Sequence, residues 1–209
     1  MPIPPAEATG GEPYAQTGPV GPMRPITHVR STTISSSILS LQSRGLHEAY
    51  VSKLRPSDYE GISSAKGGQW TPIALAVAHY RALDELRLGP TMTEAMGAAV
   101  SARLQGGSGF LGTIVRATKS AGVTPWALCS QYPRLWDRLF IGGGIVVRKT
   151  GPKDALFESH HLALADIPYF RQAYMALHRA GLELFARRVV VQEVAGSSAR
   201  CFSIRAGWV

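Results

Sequence analysis

The sequence contains little cysteine. Its two cysteines, Cys129 and Cys201, stand far apart among 209 residues, and neither belongs to a CxxC pair. A disulfide framework needs several pairs, and a structural zinc site needs clustered ligands at short spacings. Both kinds of cross-linked domain are therefore excluded, and we expect the two thiols to be reduced packing residues.

Long apolar runs are also missing. No unbroken apolar stretch of the kind found in a secretory signal occurs before Ile38. Nothing later in the chain approaches the roughly 20 apolar residues that a membrane span requires. We therefore expect a cytoplasmic protein that has no membrane partner.

The familiar catalytic motifs do not occur. The chain has neither GxSxG nor GxxxxGK[ST], and His47-Glu48 lacks the second histidine of a zinc protease because Val51 stands there. His160 and His161 are adjacent in a predicted strand, so their side chains point to opposite faces. We predict no catalytic residue, no metal site and no cofactor, and we lean towards a non-enzyme. A spatially assembled active site around His79 or His160 stays open.

One glycine-rich segment matches a known motif only in its letters. Residues 107–112 read GSGFLG, which fits GxGxxG, but the preceding segment is predicted to be helical rather than a buried strand. The predicted helices 96–104 and 110–120 resemble a helix-turn-helix, yet the turn is loose and the second helix has few base-reading side chains. Neither dinucleotide nor sequence-specific DNA binding is favoured.

The first 37 residues differ in composition from the rest. Seven of the 14 prolines lie there, followed by serine and threonine runs, with few large apolar side chains. Such a segment buries too little apolar surface to offset the entropy of ordering. We predict a disordered leader over 1–37 and a single domain over 38–209.

The part from 38 to 140 is predicted to be helical. Apolar residues recur at helical spacing over 36–54, and Pro56-Ser57-Asp58 opens a second helix. Thr71-Pro72 and Thr124-Pro125 each place a capping threonine before a proline, which is tolerated best at the first helical position.

The part from 141 to 209 is predicted to form hairpin, helix and hairpin. The strands are expected at 145–149, 155–157, 189–191 and 201–204, and Asp166-Ile167-Pro168 opens the helix between the two hairpins. Phe170, Tyr174 and Leu177 form the packing stripe of that helix, and Gly181 on the same stripe is expected to admit a strand backbone. The predicted class is α+β, with the helical N-terminal half packed on a small four-stranded antiparallel sheet.

A set of aromatic and polar side chains is predicted to line a ligand cavity between the helical part and the sheet, where such cavities often lie. Core packing accounts for the same residue types. The set comprises Trp70, His79, Tyr80, Trp126, Tyr132 and Trp136.

The net charge of +8 is unevenly distributed. Residues 1–100 carry eight basic and eight acidic side chains, whereas residues 101–209 carry fourteen basic and six acidic ones. A solvated basic surface explains this excess, and an anionic partner such as nucleic acid is the alternative. The side chains expected to face an anion are Arg116, Arg138, Arg148, Lys149 and Lys153.

The order of elements after residue 120 resembles a known sensor superfamily. A Tyr132-Pro133 helix, a glycine break, a hairpin, a helix and a valine-rich hairpin are similar to heme-nitric-oxide-binding and 4-vinyl-reductase-like domains. Over the span from Gly45-Leu46 to Asp154-Ala155, the chain also resembles an uncharacterised bacterial family of myxobacterial type. The resemblance implies a ligand-sensing or regulatory role.

The heme motifs of that superfamily are missing. The family needs an axial histidine shortly before the Tyr-Pro helix and a Tyr-x-Ser-x-Arg set after it, and neither 121–131 nor 148–158 supplies them. We therefore expect a non-enzymatic signalling module that binds a small apolar ligand or docks a protein partner. A basic nucleic-acid-binding module and a homodimer remain open alternatives.

Overall fold

Two antiparallel sheets and eight α-helices make up the part of the chain that the computed structural model describes, residues 12–17, 23–65, 67–106 and 124–209. The helices are α1 (Ser31–Gln42), α2 (His47–Val51), α3 (Pro56–Ser63), α4 (Ile73–Glu85), α5 (Pro90–Gly106), α6 (Pro125–Cys129), α7 (Tyr132–Leu139) and α8 (Pro168–Leu182). The strands are β1 (Pro13–Gln16), β2 (His28–Arg30), β3 (Trp70–Pro72), β4 (Phe140–Ile141), β5 (Gly144–Gly151), β6 (Asp154–His160), β7 (Val189–Glu193) and β8 (Cys201–Trp208). The predicted α+β class is confirmed.

The larger sheet has five strands in the order β1-β5-β6-β8-β7. The two predicted hairpins supply four of them, with Val147 opposite Phe157 and Phe157 opposite Ile204. Burial alternates along β6 and β8, as expected for a sheet with one covered face. The fifth strand, β1, was not predicted from the sequence, and it pairs antiparallel with β5.

Two short strands of the smaller sheet lie where other structure was predicted. Trp70–Pro72 were expected to open a helix, but they form β3 because His28–Arg30 pair with them, and α4 begins one residue later at Ile73. The third strand, β4, pairs on the other side of β2. This sheet joins the start of α1 to the end of α7.

The predicted disordered leader contains ordered segments in its described residues. Strands β1 and β2 lie within it, and α1 begins at Ser31. The strands form backbone hydrogen bonds with β5, β3 and β4. Pairing between such distant segments cannot be predicted from the amino-acid composition of the leader. Disorder remains a prediction for the residues of the leader outside these elements.

The first predicted helix is divided in two. Helix α1 ends at Gln42 and α2 starts at His47, because Gly45 turns the chain with a φ of +68°. The predicted helix at 110–120 and the glycine motif at 107–112 lie outside the described residues.

Helix α8 lies at the centre of the fold. It packs on the sheet with one side and along α5 with another, and the buried Tyr174 reaches Ser159 of β6 with a hydrogen bond of 3.0 Å. Gly181 was expected to meet a strand backbone. Its place is instead next to Leu128 of α6.

None of the helices within the described ranges is long and apolar enough to cross a membrane.

Candidate functional site

A cavity of about 220 Å³ lies where α7 and α8 meet β5. Side chains of α6 and α5 and of the segment 30–32 complete its wall. The apolar part of the wall comprises Leu128, Tyr132, Leu135, Trp136, Leu139, Phe140, Ile145, Leu177 and Leu184, with Gly181 beside them. The polar contributors are Arg30, Thr32, Ser101, Arg138, Tyr174 and His178. A concave, mainly apolar space with a few polar groups is the usual form of a small-molecule site.

The aromatic stripe of α8 and the Tyr-Pro helix face each other across this space. Helix α7 begins with Pro133 near its first turn, which fixes the chain direction after α6 and directs Tyr132 and Trp136 inward. Trp136 Nε1 donates a 3.0 Å hydrogen bond to the Gly142 carbonyl, which holds the indole in place. The wall is therefore made of side chains with fixed orientations.

His178 is the histidine of the cavity wall. Its Nδ1 lies 2.9 Å from the Tyr174 carbonyl oxygen one turn earlier on α8, so Nδ1 carries the proton and donates. Its Nε2 is buried and has no hydrogen-bond partner among the described residues. Burial lowers the pKa of His178 to about 4, so the imidazole is neutral near pH 7 and Nε2 is a bare acceptor.

Aromatic rings surround the His178 imidazole. Tyr132 stacks on it with ring centroids 5.0 Å apart and an interplanar angle of 24°. Tyr174 lies 4.3 Å away on the same helix, and Phe157 of β6 presents an edge at 5.4 Å. These contacts restrict the orientation of the imidazole.

The six side chains predicted to line a ligand cavity are spread over several places. Tyr132 and Trp136 lie in the wall of the 220 Å³ cavity. Tyr80 lines a smaller neighbouring cavity of about 60 Å³, which shares Leu139, Phe140, Tyr174 and Leu177 with the first.

The other three predicted side chains lie away from the cavity. Trp70 lies under the Arg30 guanidinium at 3.6 Å. Trp126 donates to the Pro152 carbonyl at 3.0 Å and packs edge-on against Trp208. His79 belongs to a buried network in the helical part.

That network joins His79 to Ser37 and Tyr50. Ser37 Oγ lies 2.6 Å from Nε2 of the imidazole, and Tyr50 Oη lies 2.7 Å from Nδ1. Ser37 also donates to the Ile34 carbonyl at 3.2 Å, so its oxygen accepts from Nε2–H and the tyrosine hydroxyl donates to Nδ1. Burial lowers the pKa of His79 to about 3. In this arrangement the histidine is a donor to the serine rather than its base, so the contact does not activate a nucleophile.

The predicted anion-facing side chains lie on separate elements. Arg148 pairs with Glu158 at 2.6 Å across β5 and β6, and Lys149 lies 5.1 Å over the Trp126 ring. Arg138 is in the cavity wall on α7, Lys153 is in the turn between β5 and β6, and Arg116 lies outside the described residues. The anion-facing surface remains a prediction.

Metal-binding clusters do not occur around the histidines of the described ranges. Groups of three or more histidine, cysteine or acidic side chains that could hold a metal do not occur there. His160 is half-buried and its pKa is lowered mainly by burial. Cys129 is buried, which raises its thiol pKa to about 12 and leaves it protonated.

Sequence reasoning missed most of the cavity wall. The sequence did not predict a place in the wall for His178, Leu128, Leu135, Ile145 or Leu184. The available signal was the stripe Phe170, Tyr174, Leu177 and Gly181, which continues through His178. It indicates an inward face but not a void beside it.

The fold is similar to that of H-NOX heme sensor domains. The Fe(II) unliganded H-NOX protein from K. algicida superposes with a TM-score of 0.63 at 6% identity, covering 86% of this chain and 96% of that one. A structure from work on modulating heme redox potential through porphyrin distortion gives 0.54 at 10% identity, covering 86% and 99%. A third, from work on heme distortion in the H-NOX family, gives 0.54 at 11% identity, covering 86% and 94%. At these identities the similarity establishes the fold.

Comparison of sequences gives no further assignment. No protein-family model matches the chain, and no curated protein does.

The residues of the cavity do not fit heme. Its volume of about 220 Å³ is below the roughly 300–1,000 Å³ of typical ligand and cofactor pockets. The imidazole of His178 packs against the rings of Tyr132 and Tyr174, with centroids 5.0 and 4.3 Å away, so a porphyrin has no room on those sides of the ring. No histidine occurs in 124–131, just before α7. The cavity is therefore suited to a smaller molecule.

Proposed function

We propose that this chain is a non-enzymatic ligand-sensing module whose 220 Å³ cavity holds a small apolar molecule. The observation that carries the proposal is the cavity itself, which is lined mainly by apolar side chains and lies between α7, α8 and the larger sheet. The H-NOX-like fold supports it, because the similar structures are of H-NOX proteins, a family in which the function of heme distortion has been probed.

The position of the cavity gives a route from binding to a response. A molecule there contacts α7 and α8 together, and α8 packs against both the sheet and α5. Binding that favours one packing of α8 over another changes the surface that α5 and the neighbouring helices present. A partner protein that reads this surface completes the proposed signalling role.

The decisive experiment pairs native mass spectrometry with a cavity-filling variant. A β-carbon at Gly181 meets Leu128 at 3.6 Å, which is ordinary contact, so Gly181→Ala is the matched control and Gly181→Leu fills the space. Gently purified wild-type protein is expected to retain or take up a small organic molecule such as toluene, and Gly181→Leu is expected to lose it. Equal uptake by all three proteins would place the binding elsewhere and contradict the proposal.

A visible spectrum of the same samples tests the exclusion of heme. We expect no Soret band in the purified protein. A Soret band would show that the cavity opens far enough for a porphyrin, and it would replace the small apolar ligand with heme.

The nucleic-acid alternative has a separate signature. Binding carried by the basic excess of residues 101–209 would weaken steeply as salt increases, because counterions are released from the phosphates. The ion pair of Arg148 with Glu158 and the position of Lys149 over Trp126 do not favour it.

A further inference from the structure

The inference concerns the chemical class of the ligand, and it rests on the proposed function. We infer that the cavity selects a neutral apolar molecule of one or two rings that carries a single hydrogen-bond donor, a hydroxyl or an N–H, which His178 Nε2 accepts. The two observations behind it are the apolar cavity and the unpartnered acceptor in its wall.

The acceptor role of Nε2 follows from the fixed tautomer. The Tyr174 carbonyl accepts the Nδ1 proton at 2.9 Å, and a carbonyl can only accept, so the remaining nitrogen carries a lone pair. Burying such an atom without a partner is costly, and native proteins rarely do so unless water or a ligand completes the bond. A ligand that carries a hydrogen-bond donor would complete the hydrogen bond of Nε2.

The neighbours of His178 do not supply that donor. The Tyr174 hydroxyl is engaged with Ser159 Oγ at 3.0 Å. Tyr132 stacks face to face on the imidazole, so its ring rather than its hydroxyl meets the histidine, and Phe157 has no polar atom. His178 lines the cavity, so the inference requires that a slight tilt of the imidazole brings the buried Nε2 within reach of a donor bound there.

The cavity also restricts the charge and the size of the ligand. A carboxylate would bring its lone pairs against the Nε2 lone pair, and an apolar wall desolvates any ion at high cost. The two arginines of the wall do not offset this cost. Arg30 Nε donates to the Arg138 carbonyl and one terminal nitrogen of Arg30 donates to the Gly68 carbonyl, and Arg138 is not free either. An apolar cavity of about 150 Å³ holds benzene, so 220 Å³ accommodates one or two small rings.

The test uses a matched pair of probes, indole and indene. They have nearly the same shape, but indole has an N–H donor and indene has none. We expect wild-type protein to bind indole about three- to ten-fold more tightly than indene, the range for one net hydrogen bond. Adding a methyl group to the donor, as in 1-methylindole, should remove the preference.

The matched variant is His178→Phe, which keeps a ring and removes the acceptor. It should bind indene at least as well as wild type does and should lose the preference for indole. If that variant does not fold, the nitrogen-15 resonances of His178 in the wild type serve instead. They should show a neutral Nδ1–H imidazole whose Nε2 signal moves with indole and stays with indene.

These measurements distinguish a failure of the donor inference from a failure of the proposed function. Equal binding of indole and indene, with an unmoved Nε2 resonance, would overturn the donor inference and leave the apolar cavity as a ligand site. Failure of both probes and of toluene to bind would overturn the proposed function, and the donor inference with it.

Discussion

Gly97 of α5 and Ala173 of α8 are in direct contact, backbone against backbone. A β-carbon built on Gly97 would overlap the Ala173 carbonyl group, so only glycine fits at this crossing. The contact fixes the distance between the two helices, and both contribute to the wall of the cavity, α5 through Ser101 and α8 through Tyr174 and His178.

Replacing Gly97 with alanine should destabilise the protein. Alanine is the better helix former, but the added methyl group forces α5 and α8 apart, and overpacking of this kind costs about 1–3 kcal/mol. Chemical denaturation measures the change. Gly89→Ala is the control, because a β-carbon there has nothing within 4 Å, and it should change the free energy of unfolding by less than about 0.5 kcal/mol. Equal effects of the two variants would show that the helices do not meet at Gly97.

Tyr50→Phe should destabilise the helical part. Removing the hydroxyl leaves His79 Nδ1 buried without its 2.7 Å partner, which costs about 1–3 kcal/mol. Thermal or denaturant unfolding reads out the loss. Tyr59→Phe is the matched control, because that hydroxyl makes no hydrogen bond to the described part of the chain, and a loss as large as that of Tyr50→Phe would argue against the network.

Acid should destabilise the protein through its two buried histidines. Burial lowers the pKa of His79 to about 3 and of His178 to about 4, below the usual value of 6.5. As the pH falls below about 6.5 the unfolded chain binds protons that the folded chain does not, so the stability contributed by the neutral imidazoles is present above 6.5 and is lost towards 4 and 3. The expected slope is at most about 1.4 kcal/mol per pH unit for each histidine.

The difference between wild type and His178→Phe isolates one of these slopes. Unfolding free energies are measured from pH 4.5 to 8. The value for the wild type minus that for the variant should be constant above about pH 7 and fall below 6.5, because only the wild type carries this titrating group. A difference independent of pH over the whole range would mean that His178 is not buried in its neutral form.

Local patterns predicted the C-terminal part of the fold well. The β-branched run Ile145–Val147 and the valine-rich run at 189–191 lie in β5 and β7, and the helix that starts near Pro168 is α8. These elements have strong periodicity and clear start signals, and their hairpin connections are short. The resemblance to the heme-nitric-oxide-binding superfamily, drawn from their order, agrees with the fold similarity over 86% of the chain.

The pairing of distant segments could not be read from the sequence. Strand β1 joins Pro13 to the edge beside Arg148, and β2 joins Val29 to Thr71. Nothing local marks Pro13–Gln16 as a strand, because its stability comes from a partner strand 130 to 135 residues away. The same pairing turns the predicted helix start at Trp70–Pro72 into β3.

The candidate site was only partly predictable for a related reason. Aromatic side chains near the junction of helices and sheet were expected to line a cavity, and Tyr132 and Trp136 lie there, whereas Trp70 and Trp126 pack elsewhere. A void is the space that packing leaves unfilled, so its position depends on every surrounding side chain at once. No pattern of spacing along the chain contains that information.

Protein-detected NMR with toluene tests the central claim most directly. Toluene is titrated into nitrogen-15-labelled wild-type protein, Gly181→Ala and Gly181→Leu, and the amide shifts are mapped onto the structure. We predict saturable shifts confined to α7, α8 and β5 in the first two proteins and their loss in Gly181→Leu. Shifts that do not saturate, that map elsewhere, or that persist in Gly181→Leu would contradict a ligand site in this cavity.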